Sequence, residues 1–495
     1  MTPLDWNEID VRGMLQRTFD KMSPRQRQAV AHGKANSTIG DIWMGFGKTL
    51  IGLTVGIIEK PDVWIILGSK SSMNVWKQEI RKWYPELAGE ELYNIVRGQA
   101  AQRQNIWMKA KRKEGLFYAT TFGSFIRDID FILAQKISVQ FISIDEPQKG
   151  GLRNRKTLGF KAVKAIQMAT GCKIWMGSGS LTTKGVPQLW SYLHILNRKL
   201  FSSYWTWMQT FMLSVKGPFG VEYIRPKNNE QRARLMLPYI FKIGEKEAQA
   251  ELPPLRRAPL YAELTPKLAS VYNTMAQELF MEFDGIDGES KFLAVANPLA
   301  AYTKLRQLIT CPAIIDPALG PGVAIEAVID KMLELEGQPG WTHNIVFTPY
   351  VGAIPIFKQQ LSEGLGLKPE KIITLQGGME PEELQEAEVY FREDPNTLVL
   401  CSLSFAESFN LETGMNAYFP HFDWDQTKNE QAEARIRRRT SDRSRTIMSY
   451  YVNIIGSITT IMLDVLDGKV RNERLTYTDF VALRESLTKR IIGAD

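Results

Sequence analysis

Met44-Gly45-Phe46-Gly47-Lys48-Thr49 runs straight into the helical stretch Leu50 to Glu59. Glycines at such a place let backbone N–H groups close on phosphates, and the helix N-terminus adds a positive end. Gly45 and Gly47 would form the cradle, Lys48 would reach the β- and γ-phosphates, and the Thr49 hydroxyl would hold Mg²⁺. The pattern wants a small residue at position 42, where this chain has Ile42. Much further along, Asp145-Glu146 ends an apolar run. Asp145 would hold the metal through its water shell, and Glu146 would orient or deprotonate an attacking water. Acids often end strands, so the pair acquires meaning from its order after the glycine loop. Arg435, Arg437, Arg438, Arg439, Arg443 and Arg445 then fall within eleven residues. A solvated helix face accounts for such a cluster as well as function does. Arg435 and Arg438 are three apart and would share one face of a helix. There they could oppose charge on a transferred phosphoryl group, a contribution of roughly 10³–10⁵ in rate.

The elements that must hold these groups are short apolar runs followed at once by small or polar residues. They include Val63-Trp64-Ile65-Ile66-Leu67, Phe141-Ile142-Ser143-Ile144, Asn344-Ile345-Val346-Phe347 and Thr397-Leu398-Val399-Leu400. Helical spacing separates them, as in Asn74 to Trp83 and Pro381 to Phe391. Buried strands alternating with helices predict a parallel, doubly wound α/β sheet, with ligand groups just past the strand ends. The pattern occurs twice, over about Met22 to Leu196 and about Asn344 to Asp467. The reading is a first lobe over 1–196, a helical and basic segment over 197–255, a second lobe over 256–470 and a helical tail over 471–495. Leu252-Pro253-Pro254 marks the boundary.

A chain of 495 residues is too long for one core, so two or three domains are expected. With 44% hydrophobic and 23% charged residues it reads as an ordinary soluble protein. No apolar window is long enough for a membrane helix, and MTPLDWNEID lacks the apolar core of a leader. Cys172, Cys311 and Cys401 lie far apart inside apolar runs, with neither disulfide nor zinc spacing, which points to a reducing cytosol. The minimal style of the chain, rather than its cysteines, suggests a bacterial or phage-infected host. The net charge of +7 is compatible with a phosphate-backbone partner.

Finer motifs resemble the Swi/Snf branch of superfamily 2 helicases from about residue 20 to 470. Ser23-Pro24-Arg25-Gln26 resembles the adenine-reading "LRPYQ", with Gln26 as reader. Asn74-Val75-Trp76-Lys77-Gln78-Glu79 resembles "NWKxE", and Ser178-Gly179-Ser180 stands where the branch has "TGT", followed by Gln188-Leu189-Trp190 for "ELW". Leu252-Pro253-Pro254 with Glu263-Leu264-Thr265-Pro266 is similar to "LPP…ELTP". Leu305-Arg306-Gln307-Leu308-Ile309 with Pro312 is similar to "LRQICNHP". Asp423-Trp424 and Gln431-Ala432 resemble "DPDWNPxxxxQA", and Arg435 and Arg438 match both arginines of "RAHR".

The resemblance implies two RecA-like parallel-sheet lobes in tandem with a helical insertion between them, an ATP hydrolase using Mg²⁺, and movement along double-stranded DNA. Ser69, Lys70, Thr120, Thr121 and Ser402 would touch phosphates without reading sequence. Departures bear on coupling of hydrolysis to motion. Ile42-Trp43 replaces an acidic pair, Gln148 closes the "DEAH" motif, Leu181 replaces a proline, and Ser402 to Leu411 is poor in glycine. With Ser178, Gly179 and Ser180, Gln148 is the expected coupling group. A sequence-independent motor acting on forks or junctions, in branch migration, recombination or repair, is the expectation. The motor of a protein-displacing or defence complex and a non-hydrolysing ATP-gated clamp are the alternatives. The aromatic and basic stretch Phe201 to Lys246 is the candidate for engaging a branch, against core packing.

Overall fold

The computed structural model describes residues 4–466, apart from 180, 182–184, 218–219, 285–289, 295–297, 339–340, 380, 406–410 and 424. The chain divides into two compact units, Met1–Glu251 and Leu252–Asp495. Each contains its own parallel sheet, so the fold class is α/β. The expected tail over 471–495 lies outside the described residues.

In the first unit the strands are β1 (Thr38–Ile42), β2 (Trp64–Gly68), β3 (Tyr93–Val96), β4 (Phe117–Thr121), β5 (Phe141–Asp145), β6 (Lys173–Ser178), β7 (Met212–Gly217), β8 (Gly220–Pro226) and β9 (Ile240–Ile243). Seven form one sheet in the order β3-β4-β2-β5-β6-β1-β9, paired in parallel throughout. β1 and β2 are buried at every position, and in β2 this shows as a continuous rather than alternating apolar run, whereas β1 carries Thr38, Gly40 and Asp41 within the same burial. The helix Lys48–Glu59 lies close enough to the sheet to need two glycines. A Cβ at Gly52 would stand 2.5 Å from the Trp175 ring and one at Gly56 would stand 2.1 Å from Trp64. Trp64 in turn meets Phe141 edge-on at 5.0 Å, a contact worth about 0.5–1.5 kcal/mol beyond its buried area.

Residues 197–251 fall within this first unit, and the segment expected to be helical and basic carries strands as well as helices. They contain the helices Tyr204–Phe211 and Asn229–Met236, the antiparallel hairpin β7–β8 and the strand β9. Met212 to Pro226 mixes apolar and polar residues around Gly217 and Gly220, a hairpin rather than a helical spacing. Phe201, Trp207, Met208 and Phe211 are core residues, so most of this aromatic stretch serves packing.

The second unit is built on β10 (Leu255–Ala262), β11 (Phe280–Asp284), β12 (Ser290–Ala294), β13 (Asn344–Thr348), β14 (Ile372–Leu375), β15 (Leu398–Ser402), β16 (Asn416–Phe419) and β17 (Ile447–Ile454). Six form a parallel sheet in the order β10-β17-β16-β13-β15-β14, and β11–β12 is a separate antiparallel pair. The repeat thus starts with β10, well before the expected Asn344. β10 is exposed at alternate positions, and its alternation hides it from a search for continuous apolar runs. Cys172, Cys311 and Cys401 are all buried, and burial pushes the Cys172 and Cys311 thiols up to about 11, as inert core groups.

Candidate functional site

The glycine loop joins β1 to the helix Lys48–Glu59. Gly45 (φ 77°) and Gly47 (φ 88°) adopt left-handed backbone, which costs other residues about 1–2 kcal/mol. Gly47 caps the helix with no side-chain hydrogen bond, so the first-turn N–H groups point from an uncapped helix end. The loop is held from two directions. Trp43 N–H donates to the Ile243 carbonyl of β9 at 3.0 Å, and Gln26 Nε2 donates to the Phe46 carbonyl at 2.8 Å. Gln26 is buried, and its Oε1 also accepts from Ser23 N–H at 3.0 Å in a capping box that starts the helix Pro24–Ala35. Arg25 beside it lies 4.9 Å over the Phe241 ring and donates to the Lys242 carbonyl at 3.1 Å. The Ser23–Gln26 segment and β9 therefore brace one loop, a link with no local sequence signal.

Asp145 ends β5 and Glu146 begins the next turn with φ 50°, a strained conformation for a residue with a Cβ. Glu146 N–H donates to the Gly177 carbonyl of the neighbouring strand β6 at 2.9 Å. Its carboxylate has Lys48 Nζ at 3.4 Å and accepts from Gln148 Nε2 and, at 3.3 Å, from Ser178 Oγ. Ser178 Oγ also lies 3.2 Å from Gln148 Oε1. Burial works against ionisation of Glu146, but Lys48, Gln148 and Lys149 together hold it below the ordinary glutamate range. A Cβ at Gly179 would stand 3.1 Å from Lys48 Nζ and 3.0 Å from Met44 Cγ, so glycine leaves the lysine its place. Lys48, Thr49, Asp145, Glu146, Gln148, Ser178 and Gly179 thus converge, whereas Ser180 lies outside the described residues. Such a set can hold a phosphate chain on an uncapped helix end, ligate a divalent cation with hydroxyl and carboxylate oxygens, and keep an ionised base beside them.

The expected phosphate-contacting residues divide. Ser69 caps the helix Lys70–Trp83 by accepting from Ser72 N–H at 3.2 Å, and Lys70 is exposed at its first position. Thr121 caps the helix Phe122–Ala134 in the same way. Thr120 and Ser402 are instead buried at 0% and 1% exposure at the ends of β4 and β15, because residues alternate in and out of a sheet and both faces here are covered. They cannot meet phosphate in this form. Residues 406–410 of the glycine-poor motif and Trp424 lie outside the described residues.

In the second unit the helix Gln426–Ile436 carries Arg435 in its last turn but ends before Arg438. The two arginines therefore do not share a helix face. Arg437 caps the helix with φ −106° and ψ 82°, its Nε donating to the Pro253 carbonyl at 2.7 Å, and Arg438 N–H donates to Ser441 Oγ at 3.2 Å. One long-range partner, the Pro253 carbonyl, and one local one, Ser441, meet the chain where this helix ends. Three residues that spacing also missed anchor it: Glu433 is buried, accepts a two-pronged contact from Arg257 of β10 (2.6 and 3.0 Å) and one from Tyr451 of β17 (2.9 Å). Arg306 likewise joins two distant motifs, donating to His421 Nε2 at 2.7 Å and to the Phe422 carbonyl at 3.0 Å.

Comparison with known proteins follows the same lines. The SNF2-related domain matches residues 34–314. The chromatin-remodeling ATPase INO80 of Mycosarcoma maydis is 21% identical over 244 residues, which is 46% of this chain and 12% of that protein. INO80 of Saccharomyces cerevisiae strain S288c is 20% identical over 257 residues, 49% of this chain and 17% of that one. The match thus spans less than a fifth of the length of these curated relatives. The solved Sulfolobus solfataricus SWI2/SNF2 ATPase core in complex with dsDNA is 19% identical, aligned over 95% of this chain and 96% of that one with a TM-score of 0.41. With residues 34–314, more than half of its length, matched by that family model, this chain belongs to the SNF2-related domain family.

Proposed function

We propose that the chain is an ATP-driven, sequence-independent translocase on double-stranded DNA that remodels forks or junctions. The observation that carries the reading is the pairing of Lys48 with the ionised Glu146 at an uncapped helix end, beside the strand-terminal Asp145. Lys48 and the loop N–H groups bind the phosphates, and Glu146 takes the proton of the attacking water. The left-handed cradle and the room left by Gly179 fit ATP, and Thr49 with Asp145 fits Mg²⁺, which would neutralise phosphate charge when bound. Arg435 and Arg438 supply the positive charge on which hydrolysis depends. Ser69, Lys70 and Thr121 hold the DNA backbone, and contacts of this kind carry no base information. Rates of ATP hydrolysis with linear duplex, single strand, fork and four-way junction test the proposal. Stimulation by duplex and more by branched DNA is expected. Equal stimulation by linear and branched duplex sinks the branch role, and none by any DNA sinks the translocase.

A further inference from the structure

Between Glu146 and Glu222 the chain has no Asp or Glu and eleven Lys or Arg, more positive charge than the +7 of the whole. At 54 acids in 495 residues, about eight would be expected in a run of that length. The run begins at the acid pair and contributes a wound loop, 147–157, then the helix Leu158–Thr170. The loop is closed on itself by Lys149 N–H to the Glu146 carbonyl (2.9 Å), Gly151 N–H to Gln148 (3.1 Å) and Thr157 N–H to Asn154 (3.1 Å). Lys173 is paired with Glu59 at 2.7 Å, but Arg153, Arg155, Lys156, Lys161, Arg198 and Lys199 meet no carboxylate within ion-pair distance among the described residues.

Within this field stands Trp205. Its neighbours Phe201, Trp207 and Phe211 are 3–4% exposed, whereas Trp205 is 57% exposed. The Arg155 guanidinium lies 4.5 Å from the Tyr204 ring and 5.6 Å from the Trp205 ring, joining the loop to the helix Tyr204–Phe211. Arg198 reaches the helix Leu158–Thr170, its Nη1 3.4 Å from Met168 Sδ. Arg155 and the open face of Trp205 thus stand together within a run of chain that carries only positive charge.

We propose that this surface binds an unpaired strand of DNA, with phosphates along the cations and a base stacked on Trp205 beside Arg155. It rests on DNA being the substrate. An open indole flanked by a guanidinium offers a π-face that stacked, paired bases in a duplex do not reach, and stacking tolerates any base. An acidic protein would use the charge but not the indole.

The test is fluorescence anisotropy of the nucleotide-free full chain with labelled duplex, tailed duplex and single-stranded oligonucleotides over a salt series. Trp205→Ala is expected to weaken tailed and single-stranded binding roughly tenfold and to lower the tailed-to-duplex affinity ratio. Trp205→Phe, which keeps a ring, is expected to restore most of that loss. Arg155→Ala with Lys156→Ala should lower the salt slope by about one to two. Unchanged tailed-strand affinity in Trp205→Ala overturns the proposal. So does poly-glutamate binding the wild-type chain where the tailed oligonucleotide does not, since the face then serves an acidic protein. If Trp205-dependent strand binding is found but no DNA stimulates ATP hydrolysis, the strand site stands and the translocase reading fails.

Discussion

Lys48 Nζ lies 3.4 Å from Glu146 Oε1, so the cation that would bind phosphate and the carboxylate that would take a proton are partners across the end of the sheet. Lys48 favours the charged form of Glu146 against the burial that opposes it. Any phosphate that draws Lys48 away changes the field on Glu146, which ties the state of the base to occupancy of the cradle.

Glu146→Gln is expected to abolish turnover while nucleotide binding persists, whereas Lys48→Ala should weaken both. A general base typically contributes ~10²–10⁴ in rate, and single-turnover hydrolysis beside equilibrium nucleotide binding separates the two. Gln148→Leu gives a finer check. Glu146 sits below its ordinary 4.5, so the active carboxylate is present at neutral pH and lost as pH falls through its folded value. Removing the Gln148 donor raises that value, and the acidic limb of the pH–rate profile should move upward. A limb that stays in place would remove Gln148 from this role.

Replacing Arg435 or Arg438 with Lys should lower turnover at saturating DNA roughly 10²-fold or more, with DNA affinity within a few-fold. A point charge does not reproduce the planar fork. If the loss appears instead in salt-dependent DNA affinity, the cluster is a backbone-binding patch.

Arg257→Met leaves the Glu433 carboxylate buried with Tyr451 as its remaining described partner. Arg257 is 44% exposed on its side chain, and solvent discounts the loss to about 1–3 kcal/mol. Chemical denaturation should show that loss. Turnover should also fall, since Arg435 stands two residues along the same helix. Double replacement of Arg257 and Glu433 by apolar residues should recover stability more than turnover.

His421 is fully buried and accepts from Arg306, and burial followed by that guanidinium depresses its pKa well below 6.5. Below 6.5 the unfolded imidazole gains a proton that the folded one refuses. Its stabilisation is therefore full above that value and is lost as pH falls, at about 1.4 kcal/mol per pH unit. Urea midpoints at pH 7.5 and 5.5 should differ more for the wild type than for His421→Asn. Equal shifts would mean that His421 does not titrate as the burial requires.

Where the groups are neighbours in the chain, the sequence alone located them. The glycine loop, Lys48 and Thr49 are contiguous, Asp145 and Glu146 end one apolar run, and buried strands such as Trp64–Gly68 and Leu398–Ser402 announce themselves as apolar stretches, though the equally buried Thr38–Ile42 does not. What depended on distant partners was not legible. β9 became an edge strand only by pairing with β1, and β10 has an alternating pattern whose place in the second sheet is set by β17. The helix Gln426–Ile436 stopped where Arg437 found the Pro253 carbonyl, which parted Arg435 from Arg438. Thr120 and Ser402 are hydroxyl residues at the right strand ends, yet coverage of both sheet faces buried them. Residue type and spacing by themselves located the glycine loop and the acid pair of this protein, because a cradle and a strand end are made by neighbours in the chain. Which surfaces remain open, and which helix ends where, only the tertiary structure decided, because burial and capping are completed by residues far away along it.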